Sequence, residues 1–183
     1  MADLKDETEE QADPGAIAEA GPLGRWISKG GLLFAGGIVL SVLILLNEVV
    51  LRYVFNAPTI WAHETTIFLC GMAFLYGGLY CTACDRHIRV VLIYDSLPPR
   101  MRRVFDVVIS LICMTASAFF AWASWLMVQK AAFRPDGSFR LERSGSAWDP
   151  VYPGLIKVFL LVVMAVMAVQ FLILAYNYAR GRK

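Results

Sequence analysis

The stretch NEVVLRYVFNAPTIWAHE, from Asn47 to Glu64, joins the end of one apolar run to the start of the next. It carries the ionisable residues Glu48, Arg52 and Glu64. Because a charge near a bilayer is costly unless it is paired, we expect these groups to neutralise one another. Glu48 and Arg52 are four residues apart, so a continuing helix places them on one face, and Glu64 can compete for the same guanidinium. The cluster indicates a built interface or a transport element.

The amino-acid composition excludes a water-soluble domain. Hydrophobic residues make up 58% of the 183 residues, and the mean hydropathy is +0.57, which is too apolar for a soluble domain of this size. Four runs are long enough to cross about 30 Å of hydrocarbon as helices. They extend over roughly Gly30–Val50, Ile60–Ala83, Val104–Val128 and Gly154–Tyr178. The sequence therefore predicts an all-α membrane protein with four transmembrane helices.

The N-terminal residues 1–24 differ from the rest of the chain. Seven carboxylates there face the single lysine Lys5, the reverse of a basic secretory signal peptide. A polar, acidic stretch of this kind is typical of disorder. We therefore expect residues 1–24 to be an acidic disordered leader and residues 25–183 to form one four-helix membrane domain.

The distribution of lysine and arginine predicts the orientation. Eleven of these residues fall on the side of both termini and five on the other side, with Lys157 at a span end. Cytoplasmic segments of membrane proteins carry the excess of positive charge. Both termini are therefore predicted to lie in the cytoplasm, and the tryptophans near the span ends fit the two membrane interfaces.

The connection between spans two and three reads DRHIRVVLIYDSLPPRMRR, from Asp85 to Arg103. Its apolar residues alternate with polar ones before the proline pair, which predicts a short interfacial helix along the cytoplasmic leaflet. Attraction of Arg86, His87 and Arg89 to lipid phosphates is the simplest interpretation of its charge. Docking of these residues to another membrane subunit is the second interpretation.

Cysteine and histidine raise an alternative of another class. Cys81 and Cys84 have the spacing of redox and metal motifs, but the predicted topology places them in a reducing compartment, where a structural role is favoured. His63 and His87 stand at opposite ends of one span, which does not suit haem ligation by facing histidines. A small membrane redox protein that uses Cys81 and Cys84, or a cofactor-binding bundle, is therefore the alternative hypothesis.

No catalytic signature occurs in the chain: there is no phosphate-binding glycine loop, no HExxH and no GxSxG. We expect no enzymatic activity, no cofactor, no metal and no nucleic-acid partner. Cation ligation by His63, Glu64 and Glu48 is less favoured than a hydrogen-bonded interface histidine. The spans also lack the broken helices and midplane polar groups of a complete ion-coupled path. A freestanding small channel or carrier is a third hypothesis.

Several stretches taken together resemble one family. NEVVLRYVFNAP, from Asn47 to Pro58, is followed by Trp61 and Glu64, and then by the segments Arg86–Val90 and Leu97–Arg100. In this order they resemble the small membrane subunit of tripartite ATP-independent periplasmic (TRAP) transporters. The resemblance extends over the four spans in order and length. Many members have two adjacent acids after the tryptophan, whereas His63 takes the first of those places here.

The resemblance implies a scaffold and docking subunit in the bacterial inner membrane. Its partners would be a larger membrane subunit that carries the sodium and substrate sites, a periplasmic solute-binding protein that captures an organic acid or related solute, and the surrounding lipids. Uptake would then be driven by the sodium gradient.

Under this hypothesis, three groups of residues have roles. Arg52, held by Glu48 and Glu64, would fix the geometry between the first two helices, supported by a hydrogen bond of Asn47 and interfacial anchoring of Trp61. Arg86, His87 and Arg89 would contact lipid or the larger subunit. The loop facing the binding protein would contribute Arg134, Arg140, Arg143 and Trp148.

Overall fold

The computed structural model of the chain describes residues 15–84, 98–133 and 137–180. Within these ranges the chain forms a short 3-10 turn at Ala18–Ala20 and four long helices. The helices are α1 (Gly21–Tyr53), α2 (Ala62–Ala83), α3 (Pro99–Ala132) and α4 (Tyr152–Arg180). Each is long and apolar enough to cross a membrane. The predicted all-α class with four transmembrane helices is therefore confirmed.

Proline and asparagine set several of the helix ends. Pro22 and Pro99 lie in the first turns of α1 and α3, where the missing N–H costs nothing. After α1, Asn56 adopts a φ of 49°, a left-handed conformation that asparagine tolerates better than most residues. The Ala57 N–H then donates to the Leu51 carbonyl at 2.9 Å, so the chain reverses at once.

The helices α1, α3 and α4 extend beyond the predicted spans. α1 has 33 residues and is therefore about 50 Å long, well over the roughly 30 Å of hydrocarbon. It begins at Gly21 rather than near Gly30, so residues 18–24, which the sequence assigned to the leader, are helical. The sequence pattern missed this start because glycine, proline and charged residues precede the continuous apolar run.

The helices pack as a row rather than as a closed bundle. The most extensive contacts in the described residues join α1 to α2, α2 to α4 and α4 to α3, and the first half of α1 also touches α4 where Ile27 packs in one cluster with Val163. Consequently only 11% of the most apolar window of α1 and of α3 is buried within the protein, against 28% for α2 and for α4. Each outer helix thus leaves most of its apolar surface without a partner in the described part of the chain.

Small side chains allow α3 to lie close to α4. Ser110, Ser117 and Ser124 are buried, with exposed fractions of 5%, 6% and 3%. Their seven-residue spacing forms a seam along one face of α3, which permits close approach of the helix axes.

The segment before α1 is held in place by backbone contacts. The Ile17 N–H donates to the Ala83 carbonyl at 3.1 Å. Two amide side chains of α4 bind neighbouring carbonyls: Gln170 donates to Ala20 at 3.1 Å and Asn177 donates to Glu19 at 2.6 Å. The start of α1, the end of α2 and the end of α4 therefore lie at one end of the protein, which we call the terminal end.

The predicted interfacial helix falls on residues 85–97 and lies outside the described residues, as do Arg86, His87 and Arg89. The predicted orientation of the termini relative to the membrane stays a prediction, because helix packing alone does not distinguish the two sides of a bilayer.

The packing of the N-terminal segment predicts the effect of Gly24→Ala. A Cβ at Gly24 would lie 2.4 Å from the Cβ of Ala20 and 3.2 Å from that of Ala16. Because these carbons are fixed to the backbone, the segment has to move, and we expect the free energy of unfolding to fall by about 1–3 kcal/mol. Denaturant-induced unfolding in detergent measures this change.

The matched control is Gly37→Ala, also within α1, where a Cβ meets nothing within 4 Å. This variant should be as stable as the parent protein or slightly more stable, since alanine favours helix. Equal stability of the two variants would contradict the described docking of residues 15–20.

Candidate functional site

The opposite end of the protein, which we call the loop end, is formed by two connections. These are the α1–α2 turn, residues 54–61, and the α3–α4 loop, residues 133–151. A hydrogen bond joins them through α2, because the Ser144 hydroxyl donates to Glu64 Oε1 at 3.3 Å. The sequence-predicted cluster and the predicted binding-protein loop therefore meet at the same end.

The structure brings Glu48 and Arg52 together on the last turns of α1. The Arg52 Nη2 lies 2.6 Å from Glu48 Oε1, and the Arg52 Nε donates to the same oxygen at 3.1 Å. Glu48 is buried at 8% exposure, whereas the Arg52 side chain is 54% exposed. The carboxylate thus sits inside the protein surface while the guanidinium remains accessible to solvent or to a partner.

The second carboxylate oxygen of Glu48 is bound by Thr59. Its backbone N–H donates to Glu48 Oε2 at 3.0 Å, and its hydroxyl donates to the same oxygen. Glu48 therefore connects the end of α1 to the turn that follows it. Sequence reasoning missed Thr59 because a single threonine eleven residues away carries no periodic signal.

The expectation that Glu64 also holds Arg52 was wrong. Both residues lie in the described ranges, and no ion pair joins them. Glu64 lies in the first turn of α2 and contacts Ser144 instead. Arg52 pairs with Glu48 on its own helix, while the Glu64 side chain is held by the α3–α4 loop. The Glu64 Oε2 atom is buried and finds no hydrogen-bond partner within the described ranges.

Asn47 has different surroundings from those predicted, whereas the interfacial anchoring of Trp61 stays a prediction. The Asn47 side chain is exposed and makes no hydrogen bond in the part of the chain that the structure describes, so the expected support by hydrogen bonding was wrong. One residue on a helix turns the side chain by about 100°, which directs Asn47 away from the pair. Trp61 precedes α2, where its carbonyl accepts the Thr65 N–H and hydroxyl.

The α3–α4 loop is fixed to the helices by its backbone. The N–H groups of Arg140 and Glu142 donate to the carbonyls of Ala132 and Ala131, both at 2.8 Å. Glu142 also pairs with Lys157 on the first turns of α4. A Cβ at Gly154 would lie 3.1 Å from the Glu142 carbonyl oxygen, so only glycine lets the loop approach α4 this closely.

The turn at the tip of this loop is built around Asp149. Its carboxylate accepts the Gly145 N–H at 3.0 Å and the Arg143 guanidinium at 3.2 Å. Asp149 has a φ of 47° and Gly145 one of 70°. The Gly145 N–H, and after it the Arg143 guanidinium, lower the pKa of Asp149 below its ordinary value of 3.8.

Aromatic rings attach the tip of the loop to two helices. The Trp148 ring packs edge-on against Tyr152, with centroids 5.5 Å apart. Tyr152 in turn stacks on Phe68 of α2 at 4.3 Å. Trp148 remains 39% exposed. The Trp148 ring therefore attaches the loop to the helices, and part of the ring stays exposed to the surroundings.

The loop end contains an open depression of about 740 Å³ with mixed charge. Arg143 and Glu142, two of its lining residues, have ion-pair partners. Lys130 and Arg140 also line it, and neither has an ion-pair partner within the described ranges. The surface therefore carries positive charge that no ion pair among the described residues neutralises. Arg134, the fourth residue of the predicted docking loop, lies outside the described residues.

The alternative chemistries receive no support from the geometry. All four cysteines lie in described segments as thiols, with Cys84 buried and Cys81 partly buried at the terminal end. His63 stands at the start of α2, and His87 lies outside the described residues. In the described part of the chain, no group of three histidine, cysteine or acidic side chains could hold a metal ion.

The contacts of Asp149 predict a pH-dependent loop tip. Because its pKa is lower in the folded loop than in an unfolded chain, the stabilisation is complete above about pH 3.8 and is lost as the pH falls through the lowered value. The fluorescence of Trp148 is the difference between the emission of the parent protein and that of Trp148→Phe. We expect this difference to change over that acidic interval. Asp149→Asn should remove the acid transition, and a transition that persists in this variant would contradict the assignment.

Comparison of the sequence with known proteins identifies the family of this chain. The family described as tripartite ATP-independent periplasmic transporters, DctQ component, matches residues 41–181. A curated relative from Vibrio cholerae serotype O1, the C4-dicarboxylate TRAP transporter small permease protein DctQ, is 29% identical over 83 residues. That match covers 45% of this chain and only 36% of the relative's length.

The family match extends over both connections of the loop end, the part of α1 from Ser41 onward, and the whole of α2, α3 and α4. It is a family of transporters rather than of enzymes, and its members are multi-pass proteins of the bacterial inner membrane. Because the match covers more than half of the chain, this protein belongs to the DctQ family, the small permease subunit of tripartite ATP-independent periplasmic transporters.

Proposed function

We propose that this small permease subunit braces a larger membrane subunit and helps to dock a periplasmic binding protein during sodium-driven import of an organic acid. Both termini lie in the cytoplasm in this proposal, so the loop end faces the periplasm. The basis for the orientation is the lysine and arginine bias of the sequence.

The row of helices is the observation that carries the bracing role. A closed bundle would bury its own apolar faces, whereas α1 and α3 are each 11% buried over their most apolar windows. A small membrane protein with two open flanks can place one against lipid and the other against a larger protein. Close packing against a partner helix is favoured where small residues allow the backbones to approach.

The buried polar groups support a scaffold rather than a transport path. Ser41 donates to the Gly37 carbonyl and Thr66 donates to the Ala62 carbonyl, each within its own helix. The Gln170 amide donates to the Ala20 carbonyl. These side chains satisfy the backbone of the same chain, so they are not aligned as a relay for an ion or a solute. Cargo would therefore move through the larger subunit.

Two cations of the loop end that have no ion pair among the described residues support docking of the binding protein. Lys130 and Arg140 present positive charge beside the depression, and such a patch attracts an acidic protein surface and raises the rate of association. The name of the Vibrio cholerae relative refers to C4-dicarboxylates. That name favours a carboxylate-bearing solute for this transporter too.

Arg52→Ala tests the bracing role of the α1 terminus. The change leaves the buried Glu48 carboxylate without its cation, and loss of one partner of a buried pair typically costs about 3–5 kcal/mol, less here because Arg52 is half exposed. We expect co-purification of the larger subunit and sodium-driven uptake to be lost. Ligand binding by the isolated binding protein should be unchanged.

The matched control is Arg103→Ala, which removes an exposed arginine of α3 that has no ion pair within the described ranges. It should assemble and transport as the parent protein does. Normal assembly and normal uptake by Arg52→Ala would remove the Glu48–Arg52 pair from the mechanism.

Arg140→Glu tests the docking role of the loop separately from assembly. Reversal of one exposed charge should lower the rate of binding-protein-dependent uptake at low salt by several-fold, while the complex still assembles. The difference from the parent protein should shrink as ionic strength rises, because salt screens exposed charges beyond about 10 Å at 0.1 M. Arg103→Glu makes the same charge change at the terminal end of the protein and should have no such effect. An uptake rate of Arg140→Glu equal to that of Arg103→Glu at all salt concentrations would contradict docking at this loop.

A further inference from the structure

An open groove of about 410 Å³ lies between α1 and α2, in the half of these helices nearer the terminal end. Its lining is mostly apolar and includes Gly31, Phe34, Ala35, Tyr76 and Gly77. Neither the Glu48–Arg52 pair nor the loop end reaches it. The groove follows α1 from Ser28 to Ile38, so it extends from one membrane interface toward the bilayer centre.

Glycines of α1 and two tyrosine rings of α2 shape one wall of the groove. A Cβ at Gly30 would lie 2.0 Å from the Tyr76 hydroxyl, and one at Gly31 would lie 2.8 Å from the Tyr80 ring. The absence of these Cβ atoms lets both rings lie directly against the α1 backbone. Tyr76 also stacks on Phe34 at 4.1 Å and donates to the Ile27 carbonyl at 2.7 Å, which fixes its position.

The groove contains space that the protein itself does not fill. A Cβ at Gly77, which lines the groove on the α2 side, meets nothing within 4 Å. An α-helix with its side chains is about 10 Å across, which is too wide to enter this space without moving α1 from α2. A single extended hydrocarbon chain has the shape and the polarity that the lining requires.

Positive charge stands where the groove reaches the membrane interface. Arg25 and Lys29 are exposed on the first turns of α1, and neither has an ion-pair partner within the described ranges. Arg25 does not itself line the groove, but it lies seven residues, or two helical turns, before the lining residue Leu32 and therefore on the same face of α1. Trp26, 77% exposed, fits the interfacial belt at the same level.

The distance between these cations and the far end of the groove matches one leaflet. From Arg25 to Ile38 a helix rises about 20 Å, and half of the hydrocarbon core is about 15 Å thick. A phosphate beside Arg25 therefore places its acyl chain along the whole length of the lining.

We propose that this groove binds one anionic phospholipid from the leaflet at the terminal end. One acyl chain lies between α1 and α2 over Gly31 and Gly77, and the headgroup phosphate contacts Arg25 and Lys29. A phospholipid fits this site because its acyl chain and phosphate follow each other in the same order as the apolar space and the two cations, which have no ion pair among the described residues.

Native mass spectrometry of the full-length protein, titrated with phosphatidylglycerol or phosphatidylcholine, tests the proposal. Two basic residues near a membrane surface should favour the anionic lipid by about tenfold or more. Equal affinity for the two lipids would overturn the proposal.

Gly77→Leu fills the groove without meeting another part of the protein, since its Cβ direction is open. We expect this variant to retain one phosphatidylglycerol fewer than the parent protein. Gly37→Leu is the control, because Gly37 also faces open space but does not line the groove. If both variants bind the same number of lipids as the parent protein, the groove is not the site.

Arg25→Gln separates the headgroup from the chain. It should reduce the preference for phosphatidylglycerol over phosphatidylcholine, while Arg103→Gln leaves it unchanged. A photo-crosslinking residue in place of Gly77 identifies the occupant in native membranes. Products that carry phospholipid support the proposal, whereas products that carry a polypeptide, from a second copy or from the larger subunit, would overturn it.

Discussion

The carboxylate of Glu48 is the constraint on which the loop end depends. A charge at the edge of the hydrocarbon has to be neutralised and hydrogen-bonded, because desolvation without partners costs several kcal/mol. Arg52 supplies the opposite charge from the same helix, and Thr59 supplies two donors from the turn. The same contacts therefore end α1, fix the reversal of the chain and determine where α2 begins. The Glu64 carboxylate is thereby left to contact the α3–α4 loop, which links the two connections of this end.

The arrangement of helices in a row follows from which faces are small and which are large. Buried serines along α3 let it lie along α4, and amide side chains of α4 hold the segment before α1. The outer helices then have no partner among the described residues for most of their surface. Lipid satisfies such surfaces without a hydrophobic driving force, so specific association depends on close packing, polar contacts and individual bound lipids. A subunit of this shape is suited to bracing a larger protein.

The loop end and the terminal end of the protein present different chemistry. The loop end combines satisfied ion pairs with Lys130 and Arg140, which have no ion pair in the described residues, and this suits transient contact with a soluble protein. The terminal end combines apolar space with Arg25 and Lys29, which suits a lipid. Both surfaces carry positive charge, but the second also adjoins a groove lined mostly by apolar side chains. The local environment of the cations, rather than their number, distinguishes the two roles.

The sequence by itself determined the membrane class, the four helices, the pairing of Glu48 with Arg52 and the family resemblance. These features depend on composition, on run length and on a four-residue spacing, which are all local. Only the tertiary structure decided that Glu64 contacts Ser144 rather than Arg52, that Thr59 binds Glu48, and that the helices form an open row. Hydropathy could not predict the row, because all four spans are apolar around most of their circumference. Which faces meet is decided by the fit of small side chains and by a few polar contacts between residues far apart in the chain.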